Sequence, residues 1–140
     1  MVPQSPPSLL RPSLTVLAAP LALCRLASAE PVPAWTELAR AFLTISRTPT
    51  ELSIVADEAA VPADILAARD YRALRVDGPM SLDLIGIVAS IATPLAAAKV
   101  PIFPIATYDT DYVLVHQGAL SRAIAALEAA GHRVTLESVE

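Results

Sequence analysis

Two aspartates, Asp109 and Asp111, stand two residues apart in the run Thr107-Tyr108-Asp109-Thr110-Asp111-Tyr112. Carboxylates are acceptors for an ammonium or a guanidinium. In a regular strand this spacing puts both on one side. Thr107 and Thr110 add hydroxyls. Upstream, Asp77-Gly78-Pro79-Met80-Ser81 leads into an apolar stretch. Ser81 suits a helix N-cap, Asp83 favours the positive helix end, and Met80 with Ile85 fits a hydrophobic staple. Such a helix start offers unpaired backbone N–H groups to an anion. Gly86 would let a ligand or backbone approach closely. Donors thus stand beside acceptors, a combination that suits a small ligand carrying charges of both signs. The candidate ligand-binding set is therefore Ser81, Leu84, Ile85, Gly86 and Ile87 at the helix start, with Thr107, Tyr108, Asp109, Thr110 and Asp111 at the turn. Each has a plainer role open to it. Asp109 and Thr110 are ordinary turn residues. The plain reading is weaker for Asp111, which starts a strand, where aspartate is disfavoured. Gly86 also suits close helix packing.

Other chemistries lack their residues. An Asp-x-Asp pair can hold a divalent metal with a sugar nucleotide, but 140 residues leave no room for a glycosyltransferase domain. No nucleophile elbow, Cys-His signature or phosphate loop occurs. Two histidines and one cysteine do not make a structural zinc site. No catalytic residue, metal or cofactor is assigned. Cys24, in an apolar strand pattern, reads as a small core residue. His116 and His132, at element ends, read as solvated or capping residues.

The composition narrows the function classes. Hydrophobic residues make up 54% and charged residues 17%, against a usual charged share of about 25%. Disorder is excluded for the bulk of the chain. Net charge is −4, and the nine arginines and one lysine are scattered. There is no basic stripe of the kind nucleic-acid binding needs. One cysteine excludes an intrachain disulfide. The run Leu84–Ala98 is uncharged, but it is shorter than the ~20 residues of a membrane span. Pro94, Pro101 and Pro104 would also break such a helix. Arg11, the apolar run Leu14–Cys24 and Ala27-Ser28-Ala29 resemble a signal peptide. Two short strands, Leu14–Ala19 and Leu21–Ala27, joined at Pro20, account for the same residues.

The elements that position the chemistry follow from pattern. Residues 1–12 form a proline-rich tail. A short helix over Ala34–Ala41 should turn Trp35 and Leu38 inward. Phe42–Arg47 reads as a strand. Thr48-Pro49-Thr50-Glu51 fits a capping box that reverses the chain into a strand, Leu52–Ala56. Asp57–Asp70 reads as a linker. Tyr71–Asp77 alternates apolar and charged residues, a strand with one wet face. The helix from Ser81 runs to about Ala98. One stripe is Leu84, Ile87, Val88, Ile91 and Leu95, and a second is Ile85, Ala89, Ala92 and Ala96, so burial on two sides is expected. Strands Ile102–Thr107 and Asp111–His116 follow. Then comes a helix opening at Gly118, with Leu120, Ile124 and Leu127 inward and a stop at Gly131. Arg133–Glu137 is the last strand, with Val134 and Leu136 on one face. The order β-α-β-β-α-β is the split ferredoxin-like unit of the α+β class.

Four stretches carry a family resemblance: Ala22–Leu26, Ser46–Val55, Ala73–Pro79 and Thr107–Val115. The chain resembles small bacterial ACT-domain proteins of the CASTOR-like type, over roughly residues 13–136. Aspartate kinases carry related regulatory modules. The resemblance implies an α+β, ferredoxin-like (βαββαβ) ACT fold in two tandem ACT-like units, with antiparallel sheets and helices on one face. After the tail, the first unit is expected over 13–65 and the second over 66–140. It further implies a non-enzymatic, cytoplasmic regulatory module. The ligand would be a free amino acid at an interface between ACT units, and the protein a homodimer. Export is the alternative if residues 1–29 are a signal peptide. The chain departs from the family pattern at Pro104, and at Gln117-Gly118 in place of an acidic helix start. Two further readings compete. One is a protein-partner module without a ligand. The other is an acylphosphatase-like enzyme, but that chemistry needs an arginine in the loop after the strand, where this chain has Asp77–Ser81.

Overall fold

The computed structural model describes residues 11–78 and 85–138. The chain divides into two compact units, one of residues 19–72 and one that joins the N-terminal residues up to 18 to residues 73 onward.

In the 19–72 unit, strands β2 (Leu21–Leu26), β3 (Leu43–Arg47) and β4 (Leu52–Asp57) pair antiparallel in the order β3-β4-β2. The first half of β5 (Ala67–Val76) lies antiparallel against β2. The β3–β4 reversal uses Thr48 as expected: its Oγ1 accepts from the N–H groups of Thr50 and Glu51, each at 3.2 Å. It is not a capping box, however. The Thr48 N–H donates to the Glu51 carbonyl, not to its carboxylate. The four residues Thr48–Glu51 cannot open a helix when both flanks are already strands. Residues Ala34–Leu38 form a 3₁₀ turn rather than a longer helix. Trp35 packs on the core as expected, but Leu38 points out, 65% exposed. Thr36 takes the buried place, its hydroxyl donating to the Pro33 carbonyl.

This unit buries Leu21, Phe42, Val55 and Ala60, and beside them one small cluster. Ala22, Cys24, Leu52, Ile54, Ala56 and Val61 are buried, with Leu26, Trp35 and Ile65 at its margin. Polar clamps supplement it. The Asp57 carboxylate accepts from the backbone N–H groups of Arg40, Ala41 and Phe42 at 2.8–3.1 Å, fixing the entry to β3. The Arg69 guanidinium donates to the carbonyls of Pro62 and Ile65. Strand β5 starts at Ala67, earlier than the pattern at Tyr71 indicates. Asp70, at φ 63°, marks a register shift against β2. The expected linker therefore already contains sheet.

The other unit has the order β6-β7-β5-β1-β8. Strand β1 is Leu14–Val16, β6 Phe103–Ala106, β7 Asp111–His116 and β8 Val134–Leu136. Its helices are α1 (Ile87–Ala97) and α2 (Leu120–Ala129). Strand β1 was expected with residues 13–65, but it lies here. It is antiparallel to β5, pairing Leu14 with Val76, and parallel to β8, pairing Leu14 with Val134. The physical reason is that Leu14 and Val16 complete the core of this unit, both wholly buried. The sheet is thus not antiparallel throughout.

Helix α1 starts at Ile87, not at Ser81, and residues 79–84 lie outside the described chain. Gly86 at φ 88° precedes it, a backbone geometry that favours glycine. Ile87, Ile91 and Leu95 face the core. The second stripe is not buried: Ile85, Ala89 and Ala96 are exposed. Both helices end in a Schellman motif. After α2, Gly131 (φ 99°) donates to Glu128 and His132 to Leu127. After α1, Lys99 (φ 59°) donates to Ala96 and Val100 to Leu95.

Pro94 lies inside α1. It has no N–H, so the Ser90 carbonyl loses its helical donor. His132 supplies one: its Nε2 lies 3.0 Å from the Ser90 oxygen. The expected solvated or capping position for His132 is therefore corrected, since the residue is only 4% exposed. His116 does cap, its Nδ1 accepting from the Gly118 N–H. In β8, Val134 packs on the core while Leu136 is exposed, so the two do not share a buried face.

Candidate functional site

The loop between β6 and β7 is a tight turn. The Thr107 N–H and hydroxyl both donate to the Thr110 carbonyl at 2.9 Å. The Thr110 N–H reaches the Thr107 hydroxyl at 3.4 Å. Thr110 is buried, and its own hydroxyl donates to the Val76 carbonyl at 2.6 Å. The turn is thereby tied to the end of β5. Both threonine hydroxyls hold backbone.

That tie forms a cleft of about 260 Å³, lined by Arg75, Asp77, Gly78, Asp109, Thr110 and Tyr112. Strand β5 supplies Arg75. Asp77 and Gly78 follow the strand, and the β6–β7 turn supplies Asp109 and Thr110. Asp77 is fixed from two sides. Its N–H donates to the Ser13 carbonyl, and its carboxylate accepts from Thr15 Oγ1 at 2.8 Å. The Arg75 guanidinium stands 3.7 Å from the same carboxylate oxygen. Both side chains are partly exposed, so this pair is solvent-screened and leaves Arg75 able to engage an anion. Thr15 further contacts Thr135 Oγ1 at 3.2 Å. The cleft thus presents one guanidinium and two carboxylates around a small open volume. It is below the ~300–1,000 Å³ usual for drug-sized ligands, which suits a small zwitterion. Among the described residues, no cluster of His, Cys, Asp and Glu could hold a metal ion.

Of the residues the sequence points to, the structure places Asp109 and Thr110 in the cleft. Asp111 begins β7, paired with Ala106, and does not line it. The alternation that would put both on one side does not reach Asp109, which lies in the turn before β7. Tyr108 is at the turn tip, 82% exposed. Thr107 is spent on the turn. Ile87 faces the core. Ile85 precedes α1 and is 89% exposed. Gly86 accepts the first helical hydrogen bond, from Ser90. Ser81 and Leu84 lie outside the described residues. Sequence reasoning misses Arg75, Asp77, Gly78 and Tyr112. The signal was available: Arg75 and Asp77 are the last members of the wet face of an alternating strand.

Comparison with known proteins agrees with this architecture. The ACT domain matches residues 66–129, and a separate N-terminal domain family matches residues 20–64. The cytosolic arginine sensor for mTORC1 subunit 1 of Bos taurus is 34% identical over 96 residues, 63% of this chain and 29% of that protein. The chain therefore spans less than a third of the length of such relatives. A crystal structure of an Agobacterium tumefaciens protein superposes with a TM-score of 0.86 at 33% identity, covering 93% of this chain and 96% of that one. The aspartate kinase of Clostridium acetobutylicum shares the fold alone, with a TM-score of 0.63 at 12% identity over 84% of this chain and 33% of that one. Among the described residues, no helix is long and apolar enough to cross a membrane. The β-α-β-β-α-β order of strands β5–β8 with their two helices, and the match over residues 66–129, identify that part of the chain as an ACT domain.

Proposed function

We propose that the protein is a non-enzymatic regulatory module that binds a free amino acid in the cleft between the end of β5 and the β6–β7 turn. The observation that carries this reading is the composition of that cleft: Arg75 opposite a carboxylate, Asp77 and Asp109 for an ammonium. The arginine sensor among its relatives supports the ligand class. The cleft is open, and exposed Tyr108 adjoins it in the chain. In this reading a second ACT unit, in a homodimer of tandem units divided near residue 65, closes over the ligand. The module acts in the cytoplasm and needs no cofactor.

Thermal unfolding against the twenty amino acids, each at millimolar concentration, tests the proposal. A ligand at a hundred times its Kd adds about 2.7 kcal/mol, a shift of several degrees for a chain of this size. The expected result is a shift with one or a few amino acids, lost in Asp109→Ala. No shift with any of the twenty overturns the ligand reading. A shift that Asp109→Ala leaves unchanged moves the site elsewhere. The partner-module reading draws on the apolar outer face of α1, where Val88 is exposed. It predicts an oligomer whose stability no amino acid alters.

A further inference from the structure

Strand β3 ends the sheet of the 19–72 unit, and among the described residues it pairs with β4 alone. Two hydrogen bonds bracket the strand and fix its phase. The Asp57 N–H donates to the Phe42 carbonyl, and the Thr48 N–H donates to the Glu51 carbonyl. Hydrogen-bonded and non-hydrogen-bonded pairs alternate along an antiparallel ladder. Thr44 and Ser46 therefore turn their main-chain groups toward β4. Leu43, Ile45 and Arg47 turn theirs outward. The apolar side chains along this free edge are exposed as well, Leu43 at 43% and Ile45 at 38%.

The other sheet edges are blunted. In the β6–β7 ladder the Thr107 N–H donates to the Thr110 carbonyl, and Ile105 pairs with Tyr112. The same alternation gives Pro104 and Ala106 the outward positions of β6, and proline has no N–H to offer there. Strand β8 is only three residues long. Edge prolines and short edge strands are common guards against strand addition. Strand β3 has neither: it runs for five residues without proline or bulge, and its one charge, Arg47, stands at the end.

We infer that the β3 edge is a self-pairing surface: it takes the β3 strand of a second copy, antiparallel, about a two-fold axis at Ile45. The phase of the strand selects this occupant and this register. The outward residues are spaced evenly about Ile45. An axis there sets Leu43 against Arg47 of the second copy, Ile45 against Ile45, and Arg47 against Leu43. Each is a hydrogen-bonded pair that exchanges two bonds, so every outward group of the strand is satisfied. An axis at Thr44 or Ser46 carries one outward residue past the end of the strand, and an axis at Arg47 sets like charges face to face. Directly opposed residues share a face of the sheet. The two Ile45 side chains therefore cover each other, while the two Arg47 side chains stay at opposite ends. The contact is isologous, which closes a dimer and leaves no β3 edge for a third copy. No residue of the cleft takes part, so the inference stands apart from the amino-acid reading.

Sedimentation equilibrium of the full chain, with amide hydrogen exchange, tests this. Wild type should dimerise at micromolar concentration. The Ile45 N–H points away from β4, so Ile45→Pro removes no hydrogen bond within the chain, and Pro104 occupies the equivalent position in β6. The variant should raise the dimer dissociation constant about tenfold or more. The amides of Leu43, Ile45 and Arg47 should be protected in the dimer and lose protection on dilution, while those of Thr44 and Ser46 stay protected. If Ile45→Pro does not fold, Ile45→Lys takes its place, with the same expected loss from two ammonium groups meeting at the axis. A wild-type monomer overturns the inference. So does a dimer whose dissociation constant the folded variant leaves unchanged, or one in which the outward amides exchange freely.

Discussion

The two units solve the same problem with different means. The unit of residues up to 18 and 73 onward covers its sheet with α1 and α2 and fills the space with leucine, isoleucine and valine from β1, β5, α1, β7 and α2. The 19–72 unit has no α-helix, only 3₁₀ turns, and buries fewer residues, among them Leu21, Leu52, Ile54 and Val55 beside Ala22, Ala56 and Ala60. It compensates with hydrogen bonds from single side chains to several backbone groups, above all at Asp57. The difference teaches where stability resides. In the helix-covered unit it is spread over interchangeable apolar contacts. In the other it is concentrated in a few polar clamps whose loss strands buried or turn backbone.

Truncations in the two cores break this comparison first. Leu95→Ala, in the helix-covered core, is expected to cost about 3–5 kcal/mol. Ile54→Ala, in the smaller core, should fall near the lower end, about 2 kcal/mol. Both residues are wholly buried. Urea unfolding of the two variants decides it, and equal costs would show that the smaller core packs as tightly as the larger.

The Asp57 clamp comes next. Asp57→Ala orphans three backbone donors at once, and an expected loss of about 2–3 kcal/mol follows from charge-assisted bonds of this kind. Asp57→Asn should recover part of it. A loss below that of an ordinary surface change would remove the polar-clamp account of this unit.

The smallest effect is at Cys24. Burial pushes its thiol above the ordinary cysteine range, while the nearby Arg69 guanidinium pulls the other way. An acid whose folded form holds its proton longer lowers stability once the unfolded thiol ionises. Stability should therefore decline as pH rises above about 8.5. Cys24→Ala should flatten that limb by less than about 1 kcal/mol, read from unfolding at pH 7 and pH 10. An unchanged alkaline limb would place its cause outside this thiol.

Much of the helix-covered unit is legible in the sequence because its signals are local and agree. Alternation marks β5, the period of Ile87, Ile91 and Leu95 marks the inner face of α1, and Gly131 marks the end of α2. The second stripe of α1 misleads, since alanine fits a buried or an exposed face equally well. The end of α1 near Ala98 is legible, but its cap is not, because Lys99 takes the left-handed geometry of the Schellman pairing without being glycine. A third of the cleft's lining could be read, two residues of six. Asp109 and Thr110 announce a turn, while Arg75 and Asp77 look like ordinary wet-face residues until the sheet brings the turn against them.

The sequence by itself determined the split order of strands and helices, the acidic turn, and the absence of zinc-site, phosphate-loop and nucleic-acid patterns. These depend on residues near one another in the chain. The tertiary structure alone decided that β1 joins β5 and β8, that Thr110 anchors the turn to Val76, and that His132 serves a carbonyl freed by Pro94. Each of these links residues 34 to 120 positions apart. Local propensity carries no information across such distances. Only the competition to bury apolar side chains while leaving no backbone group unpaired selects them.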